Sequence, residues 1–173
     1  AAGAAADKMM PLDEVERIAR HANARTFTMG VALSACSLPQ TRKYNFELPA
    51  GQMEIGMGIH GEPGVRRGPL GTANDVTDEI MDAILGEMAA KPGERVAVLV
   101  NSLGATPLME LYILFARVSE RLKDAGLSIH SSLVGPYCTS LDMAGASITI
   151  MHLDDELASM LDHPCNCAMF RNG

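Results

Sequence analysis

One stretch decides the fold: residues 95–133, RVAVLVNSLGATPLMELYILFARVSERLKDAGLSIHSSL. It begins with a continuous apolar run, RVAVLV (95–100), which is typical of a strand covered on both faces of a sheet. A polar turn (101–107) precedes a segment in which apolar residues recur every three or four positions, the pattern of an amphipathic helix. These residues are Leu108, Leu111, Phe115, Val118 and Leu122. Gly126 can take the left-handed conformation that ends a helix, and 127–133 reads as the next strand.

This order of strand, helix and strand predicts a βαβ unit. Such crossovers are right-handed in nearly all known cases, so the two strands should lie parallel in one sheet. We expect Thr106 to cap the helix, with Pro107 as its first residue. The fold class indicated is therefore α/β, with helices packed on a sheet.

The flanking segments supply further elements of both kinds. Gly61–Gly71 holds four glycines and two prolines and is predicted to be a loop. The predicted elements are a helix over 11–24, strands over 27–35, 53–60 and 146–152, a helix capped by Thr72 or Asn74, and a helix capped by Asp154. The tail from Pro164 shows no periodicity.

Composition limits the classes of function. The 173 residues fit a single domain, 1–173, that can bury about 70% of the surface of its unfolded chain. The net charge of −7 opposes binding to nucleic acid, which depends on clustered Lys and Arg. No apolar run reaches the ~18 residues of a membrane span, so we expect a protein that neither crosses a membrane nor binds nucleic acid.

The cysteines predict reduced thiols rather than a metal site. Cys36, Cys138, Cys165 and Cys167 form no CxxC pair and have no His at ligand spacing. Cys165 and Cys167 are too close together and too isolated to complete a tetrahedral zinc site. We expect a reducing compartment, no bound metal, and a cytoplasmic location.

His60 is the strongest candidate for chemistry. In MEIGMGIHGEPG (53–64), apolar residues alternate with Glu54, glycines and His60, which predicts a strand with one cleared face ending at the imidazole. Gly58 and Gly61 would let a small molecule approach the ring. A neutral imidazole can act as base, ligand or nucleophile. The pattern equally fits a histidine that only caps a strand, and both readings stay open here.

Two acids lie near His60 in the sequence. Glu54 would share a face with His60, but ~13 Å of extended chain separates them, so direct contact is not expected. Glu62 is nearer and could orient the ring, although acids in glycine loops are often only solvated. We take Gly58, Gly61 and Glu62 as candidate substrate-binding residues.

The remaining polar candidates have structural alternatives. His21 is expected to be solvated, His130 and His152 to be half-buried and hydrogen-bonded, and His163 has no predicted role. Five residues follow predicted strands, where they could either hold substrate oxygens or form turns and caps. They are Asn101, Ser102, Thr139, Ser140 and Asp142.

Three longer runs identify a family. GMGIHGEPG (56–64), VNSLGATPLMELY (100–112) and GPYCTSLDMAGASIT (135–149) closely resemble the substrate-binding subunit of dihydroxyacetone kinase, in its second domain. The resemblance extends in order along nearly the whole chain, from AAGAAAD (1–7) to LDDEL (153–157).

The resemblance implies both fold and chemistry. The family fold is an α/β domain with a mixed sheet, and the subunit is dimeric. In the family, the histidine matching His60 attacks the ketone of dihydroxyacetone to form a covalent hemiaminal. A polyol such as glycerol lacks the carbonyl and would not be captured.

The resemblance also implies partners that this chain does not contain. The family's first domain, which also contacts the substrate, has no counterpart here, and we expect the chain to be a fragment or processed product that is inactive alone. The glycine loops carry no GxxxxGK[ST] motif and no GxGxxG turn that joins a strand to a helix, so ATP or ADP with Mg would sit on a separate nucleotide-binding domain or subunit. The tail CNCAMFR (165–171) departs from the family's ending, which leaves open a paralogue for another ketose such as erythrulose, or a non-catalytic sensor of ketones.

Overall fold

The computed structural model describes residues 1–60, 62–168 and 170–172 and centres on a mixed six-stranded sheet. The helices are α1 (Ala2–Asp7), α2 (Leu12–Ala24), α3 (Ala73–Met88), α4 (Leu108–Asp124) and α5 (Asp155–Leu161). The strands are β1 (Thr26–Ala32), β2 (Gln52–Ile55), β3 (Arg66–Pro69), β4 (Arg95–Ser102), β5 (Ser128–Gly135), β6 (Gly145–Leu153), β7 (Cys165–Asn166) and β8 (Arg171–Asn172). The sheet order is β3-β2-β1-β6-β4-β5, and β7 and β8 form a small separate hairpin in the tail.

The predicted βαβ unit is confirmed. Strands β4 and β5 are parallel neighbours joined by α4, whereas each other neighbouring pair in the six-stranded sheet is antiparallel. Gly126 follows α4 with φ +74°, the left-handed conformation that glycine adopts without strain. The fold class is therefore α/β with a mixed sheet.

Two helix caps, Thr72 of α3 and Asp154 of α5, are as predicted, and the cap of α4 is different. Thr72 and Asp75 form a reciprocal capping box at the start of α3. Thr106 was expected to cap α4, but its Oγ1 donates to Gly145 O at 2.7 Å and accepts from Gly145 N at 2.9 Å. Pro107 takes the N-cap position instead, because the threonine hydroxyl is committed to β6.

The strand prediction around His60 is wrong at its end. Strand β2 stops at Ile55, so His60 lies in a turn and not on the face of a strand. Gly56 has φ +81°, and a Cβ there would meet Val65 side-chain atoms at 3.0 Å. The chain therefore bends at Gly56. The predicted loop over 61–71 is also wrong in part, since β3 pairs antiparallel with β2.

The two faces of the sheet are covered unequally. Helices α3 and α4 pack on one face, whose side chains form the main core. This core includes Val31, Val96, Val98, Ile148 and Ile150. Helices α2 and α5 cover only one end of the other face, where Leu157 packs near Ala97 and Met151. In the described part of the chain, none of the helices is long and apolar enough to cross a bilayer.

Candidate functional site

The loop between β2 and β3 carries His60 and is anchored to the sheet by apolar contacts. Met57 and Ile59 pack in a small apolar cluster with Ala32, Leu103 and Met143. Gly30 of β1 leaves room for this loop, because a Cβ there would lie 3.1 Å from the Met57 carbonyl oxygen. The alternation of apolar residues thus anchors the loop, although residues 57–60 do not belong to a strand.

His60 is exposed and is bound to Glu62. Its side chain is 80% exposed. The ring Nδ1 lies 3.1 Å from Glu62 Oε1, and the His60 backbone N–H donates to Glu62 Oε2 at 3.1 Å. The ring nitrogen Nε2 has no hydrogen-bond partner among residues 1–60, 62–168 and 170–172. A carboxylate at Nδ1 favours the tautomer protonated there, which leaves the Nε2 lone pair free toward solvent.

Glu62 is positioned by the backbone and by Gly58. Hydrogen bonds from its own backbone N–H and from that of His60 hold the pKa of the Glu62 carboxyl below its usual value. A Cβ on Gly58 would lie 2.1 Å from Glu62 Oε2, so only glycine allows the carboxylate to fold back beneath the imidazole. The structure brings Gly58, His60 and Glu62 together, and Gly61 lies outside the described residues.

Glu54 stabilises the loop that carries His60 without contacting His60 itself. It is buried; Oε1 accepts the Gly64 N–H at 2.8 Å, and Oε2 accepts Arg67 Nε and Nη2 at 2.8 and 2.6 Å. Burial raises the pKa of Glu54, but the bonds from Gly64 and Arg67 outweigh it and the net pKa is lowered. Sequence reasoning missed this anchor, since it depends on the pairing of β2 with β3.

The polar turns after β4 and β5 are built from side chains that bind backbone. Asn101 Oδ1 accepts the N–H groups of Tyr137 and Cys138 at 2.9 and 2.7 Å. Ser102 Oγ donates to Thr106 O at 2.8 Å. Ser140 Oγ donates to the carbonyl of Ile59, directly before His60.

Asp142 and Thr139 lie in the same polar turn after β5. Asp142 accepts the N–H and the hydroxyl of Ser37 at 2.7 and 2.8 Å, while Thr139 is exposed. The side chains of Asn101, Ser102 and Asp142 thus all bind other groups of the protein. Ser140 additionally fixes the residue before the imidazole.

The other histidines each face an acid. His21 was expected to be solvated, but its Nε2 lies 2.5 Å from Asp154 Oδ2, because α2 packs beside the start of α5. His130 and His163 lie 2.8 and 2.7 Å from Asp162 and Asp7. His152 Nε2 lies 2.9 Å from Glu94 Oε2, in a geometry that is not aligned for a hydrogen bond.

The cysteines and acids do not assemble into a metal centre in the part of the chain described. Cys36 is buried, and Cys138, Cys165 and Cys167 are exposed. No group of three or more His, Cys, Asp or Glu side chains in this part is arranged to hold a metal ion.

Comparison with known proteins finds kinases and kinase subunits as relatives. The PTS-dependent dihydroxyacetone kinase 2 subunit DhaK of Listeria innocua is 52% identical over 171 residues, covering 99% of this chain and 52% of that protein. The L-erythrulose 1-kinase of Mycolicibacterium smegmatis is 42% identical over 177 residues, covering 99% of this chain and 31% of that protein. The chain thus spans about half, or less, of the length of these relatives.

Solved structures show the same fold. The dihydroxyacetone kinase operon co-activator DhaQ superimposes with a TM-score of 0.87 at 33% identity, covering 94% of this chain and 51% of that one. The dihydroxyacetone kinase from C. freundii, in complex with AMP-PNP and Mg²⁺, gives a TM-score of 0.78 at 34% identity over 93% of this chain and 29% of that one.

One protein-family model matches this chain. The Dak1 domain model covers residues 1–169, which is nearly the whole chain and includes the loop that carries His60. The chain belongs to the Dak1 domain family.

Proposed function

We propose that this chain is the ketone-capturing part of a ketose kinase of the dihydroxyacetone kinase type. The observation that carries the proposal is the exposed His60 ring, with Nδ1 against Glu62 and Nε2 without a hydrogen bond to any described residue, in a chain 52% identical to a DhaK subunit. The capture would place a short-chain ketone such as dihydroxyacetone on His60 for phosphorylation to the ketose phosphate.

The proposed step is a nucleophilic addition by a neutral imidazole. The Nε2 lone pair forms a bond to the carbonyl carbon, and the carbonyl π electrons move to its oxygen. The ring becomes positively charged, and the Glu62 carboxylate stabilises that charge through Nδ1–H. Proton loss from Nδ1 and proton gain by the alkoxide, both through Glu62 or solvent, complete a neutral hemiaminal.

Gly58, Gly61 and Glu62 are the proposed substrate-binding residues. Gly58 supports the idea because it makes room for the Glu62 carboxylate beneath the ring. Selection for ketones would follow from the chemistry, because a polyol offers no carbonyl to attack.

In this proposal the chain needs partners for the ketone to be phosphorylated. Its partners would be the rest of a DhaK-length subunit, a nucleotide-binding domain or subunit that carries ATP or ADP with Mg, and a second copy in a homodimer, all in the cytoplasm. The C. freundii kinase in complex with AMP-PNP and Mg²⁺ supports a nucleotide-dependent assembly. The nucleotide and metal would supply the phosphoryl group and its charge neutralisation, and residues 1–173 would hold the acceptor.

A second candidate is a ketone sensor or regulatory protein. It is favoured by the TM-score of 0.87 to an operon co-activator, although the native form of the C. freundii kinase gives a similar TM-score of 0.85. A kinase part for another ketose such as erythrulose also fits, given the erythrulose kinase relative.

Intact-mass spectrometry with dihydroxyacetone tests the capture. We expect one adduct of the ketone's mass, located on His60 by peptide mapping, and none with glycerol. His60→Ala should abolish the adduct, and His163→Ala, at another acid-paired histidine, should retain it. The same measurements are repeated on a fusion of this chain with the half of the Listeria subunit that it does not match. Absence of a His60 adduct in both proteins would refute the proposal.

A coupled phosphorylation assay separates the two candidates. The joined protein is mixed with the nucleotide-bearing subunit of the Listeria system, and ketose phosphate is measured. A kinase part yields ketose phosphate that depends on His60, whereas a sensor forms the adduct and yields no phosphate ester.

A further inference from the structure

Two cysteines of the tail have no part in the proposed ketone capture and lie on one hairpin. Cys165 belongs to β7 and pairs with Asn172 of β8 in antiparallel register. The ladder continues to Cys167, whose backbone N–H donates to Phe170 O at 2.9 Å. Side chains two residues apart on a strand point to the same face. The register therefore places both thiols on one face of the hairpin, and we call Cys165 and Cys167 the tail pair.

Both thiols of the tail pair are accessible to solvent. Cys165 and Cys167 are exposed, whereas Cys36 is buried. Cys138 is also exposed, but it lies in the turn after β5 and has no cysteine two residues away. Among the four cysteines of the sequence, the tail pair alone has the C-x-C spacing that a strand turns into two adjacent thiols.

Strand geometry suits a bridged pair of sulfurs better than a directly bonded one. Residues two positions apart on a strand are separated by about 6.8 Å. A disulfide requires Cβ atoms about 3.5–4.5 Å apart, so the ladder disfavours a bond between the two sulfurs. A cation whose bonds to sulfur are about 2.3 Å long, as in zinc thiolates, holds two sulfurs about 4.6 Å apart when the arrangement is linear. The two side chains reach that separation by leaning toward each other, and the ladder stays intact.

The donor atoms select a soft cation that needs few ligands. Thiolate sulfur prefers soft metal ions such as Cu⁺, whereas Mg²⁺ and Ca²⁺ require oxygen ligands. Within residues 1–60, 62–168 and 170–172, the tail pair belongs to no group of three or more His, Cys, Asp or Glu that could hold a metal, so a tetrahedral zinc site is not formed. Met160, which carries a further soft sulfur, lines the same hollow of about 460 Å³ as Cys165.

A positively charged side chain lies beside the tail pair. Arg171 of β8 pairs with Asn166, the residue between the two cysteines. Arg171 and Cys165 also line a common hollow of about 290 Å³. Two thiolates around one monovalent cation carry one net negative charge, and a guanidinium nearby stabilises that charge. The surroundings thus favour the anionic complex.

We propose that Cys165 and Cys167 form a binding site for one soft monovalent cation of the Cu⁺ and Ag⁺ class. Each thiol loses its proton to solvent, and each sulfur donates an electron pair to the cation. Binding therefore releases two protons and changes no oxidation state. The expectation of no metal site was based on tetrahedral zinc, which needs four ligands, whereas a linear complex needs two. The site is independent of ketone capture by His60.

Titration with Ag⁺ in the presence of excess glutathione tests the site, because Ag⁺ needs no added reductant and glutathione competes with single thiols. We expect the 173-residue chain to retain one Ag⁺ in native mass spectrometry. Cys165→Ser and Cys167→Ser should each lower the apparent affinity by about a hundredfold, since the second sulfur no longer binds within the same molecule. Cys138→Ser, at another exposed cysteine, is the matched control and should bind like the wild type. Unchanged affinity in Cys165→Ser or Cys167→Ser overturns the proposal.

A rearranged pair tests the register rather than the number of thiols. Cys165→Ser combined with Asn166→Cys keeps two cysteines on this strand but places them on opposite faces of the ladder. It should bind Ag⁺ as weakly as the single variants, and affinity equal to that of the wild type contradicts the proposal.

A proton count on the wild type needs no variant and so does not depend on how a variant folds. In weakly buffered, slightly acidic solution, we expect two protons to be released for each Ag⁺ bound, as measured with a pH indicator. Release of only one proton would mean that a single thiolate holds the cation, and the two-sulfur site would be wrong.

Discussion

Glu54 and Arg67 face each other across the β2–β3 pair, and Glu54 Oε2 accepts both Arg67 Nε at 2.8 Å and Nη2 at 2.6 Å. The second oxygen of the same carboxylate holds the Gly64 N–H at 2.8 Å. One buried acid therefore closes the far end of the loop that carries His60, while Ser140 holds the carbonyl of Ile59 at the near end. The imidazole is exposed, but its backbone is fixed on both sides.

Glu54→Gln should destabilise the protein by about 1–3 kcal/mol, because a buried acceptor loses its charge while Arg67 and the Gly64 N–H still need a partner. Urea unfolding followed by circular dichroism measures this change. Glu16→Gln is the matched control, since the Glu16–Arg20 pair is solvent-exposed, and should cost under ~1 kcal/mol. A cost for Glu54→Gln no larger than that of the control would contradict the anchoring role.

The contribution of Glu54 should depend on pH. Its folded pKa is lowered below the usual 4.5, so the unfolded state binds the proton more readily. The stabilisation is present above pH 4.5 and is lost as the pH falls through the folded pKa. We expect the difference in unfolding free energy between wild type and Glu54→Gln to be constant near neutrality and to shrink below pH 4.5. A difference that grows in acid would contradict the sign.

Local patterns could predict much of this fold, and long-range pairing accounts for what they missed. The β4–α4–β5 unit could be predicted because apolar periodicity and the helix-ending Gly126 are local signals. Strand β3 could not be predicted, because Arg66–Pro69 (RRGP) has no apolar alternation and becomes a strand only by pairing with β2. Glu62 is two residues from His60, yet their contact depends on a turn that sequence alone left open.

Glu62→Gln should weaken ketone capture by about tenfold, the equivalent of ~1.4 kcal/mol, since the amide no longer stabilises positive charge at Nδ1. Its NH₂ group can also donate to Nδ1 and favour the tautomer protonated at Nε2. The adduct fraction is measured against dihydroxyacetone concentration by intact mass. Glu62→Asp has a shorter side chain but keeps the negative charge, so its ketone capture should lie between that of the wild type and that of Glu62→Gln. Unchanged capture in Glu62→Gln would limit Glu62 to a structural role.

Gly86→Ala should stabilise the protein by about 0.5–1 kcal/mol, because glycine inside a helix costs more backbone entropy than alanine. Gly86 lies within α3, is exposed, and an added Cβ meets no atom within 4 Å. Thermal or urea unfolding measures the gain, and ketone capture should not change. A loss of stability would show that the helix is not regular at this position.

Gly58→Ala supplies the sharpest test of the Glu62 contact, because an added Cβ lies 2.1 Å from Glu62 Oε2 and displaces a flexible side-chain end, with the carboxyl carbon 2.8 Å away. We expect little change in unfolding free energy, within ~0.5 kcal/mol, but a loss of capture equal to that of Glu62→Gln. The double variant should lose no more than either single one, since both remove the same contact. Additive losses would mean that Gly58 acts on the ketone directly, by leaving space for it, and that its role is independent of Glu62.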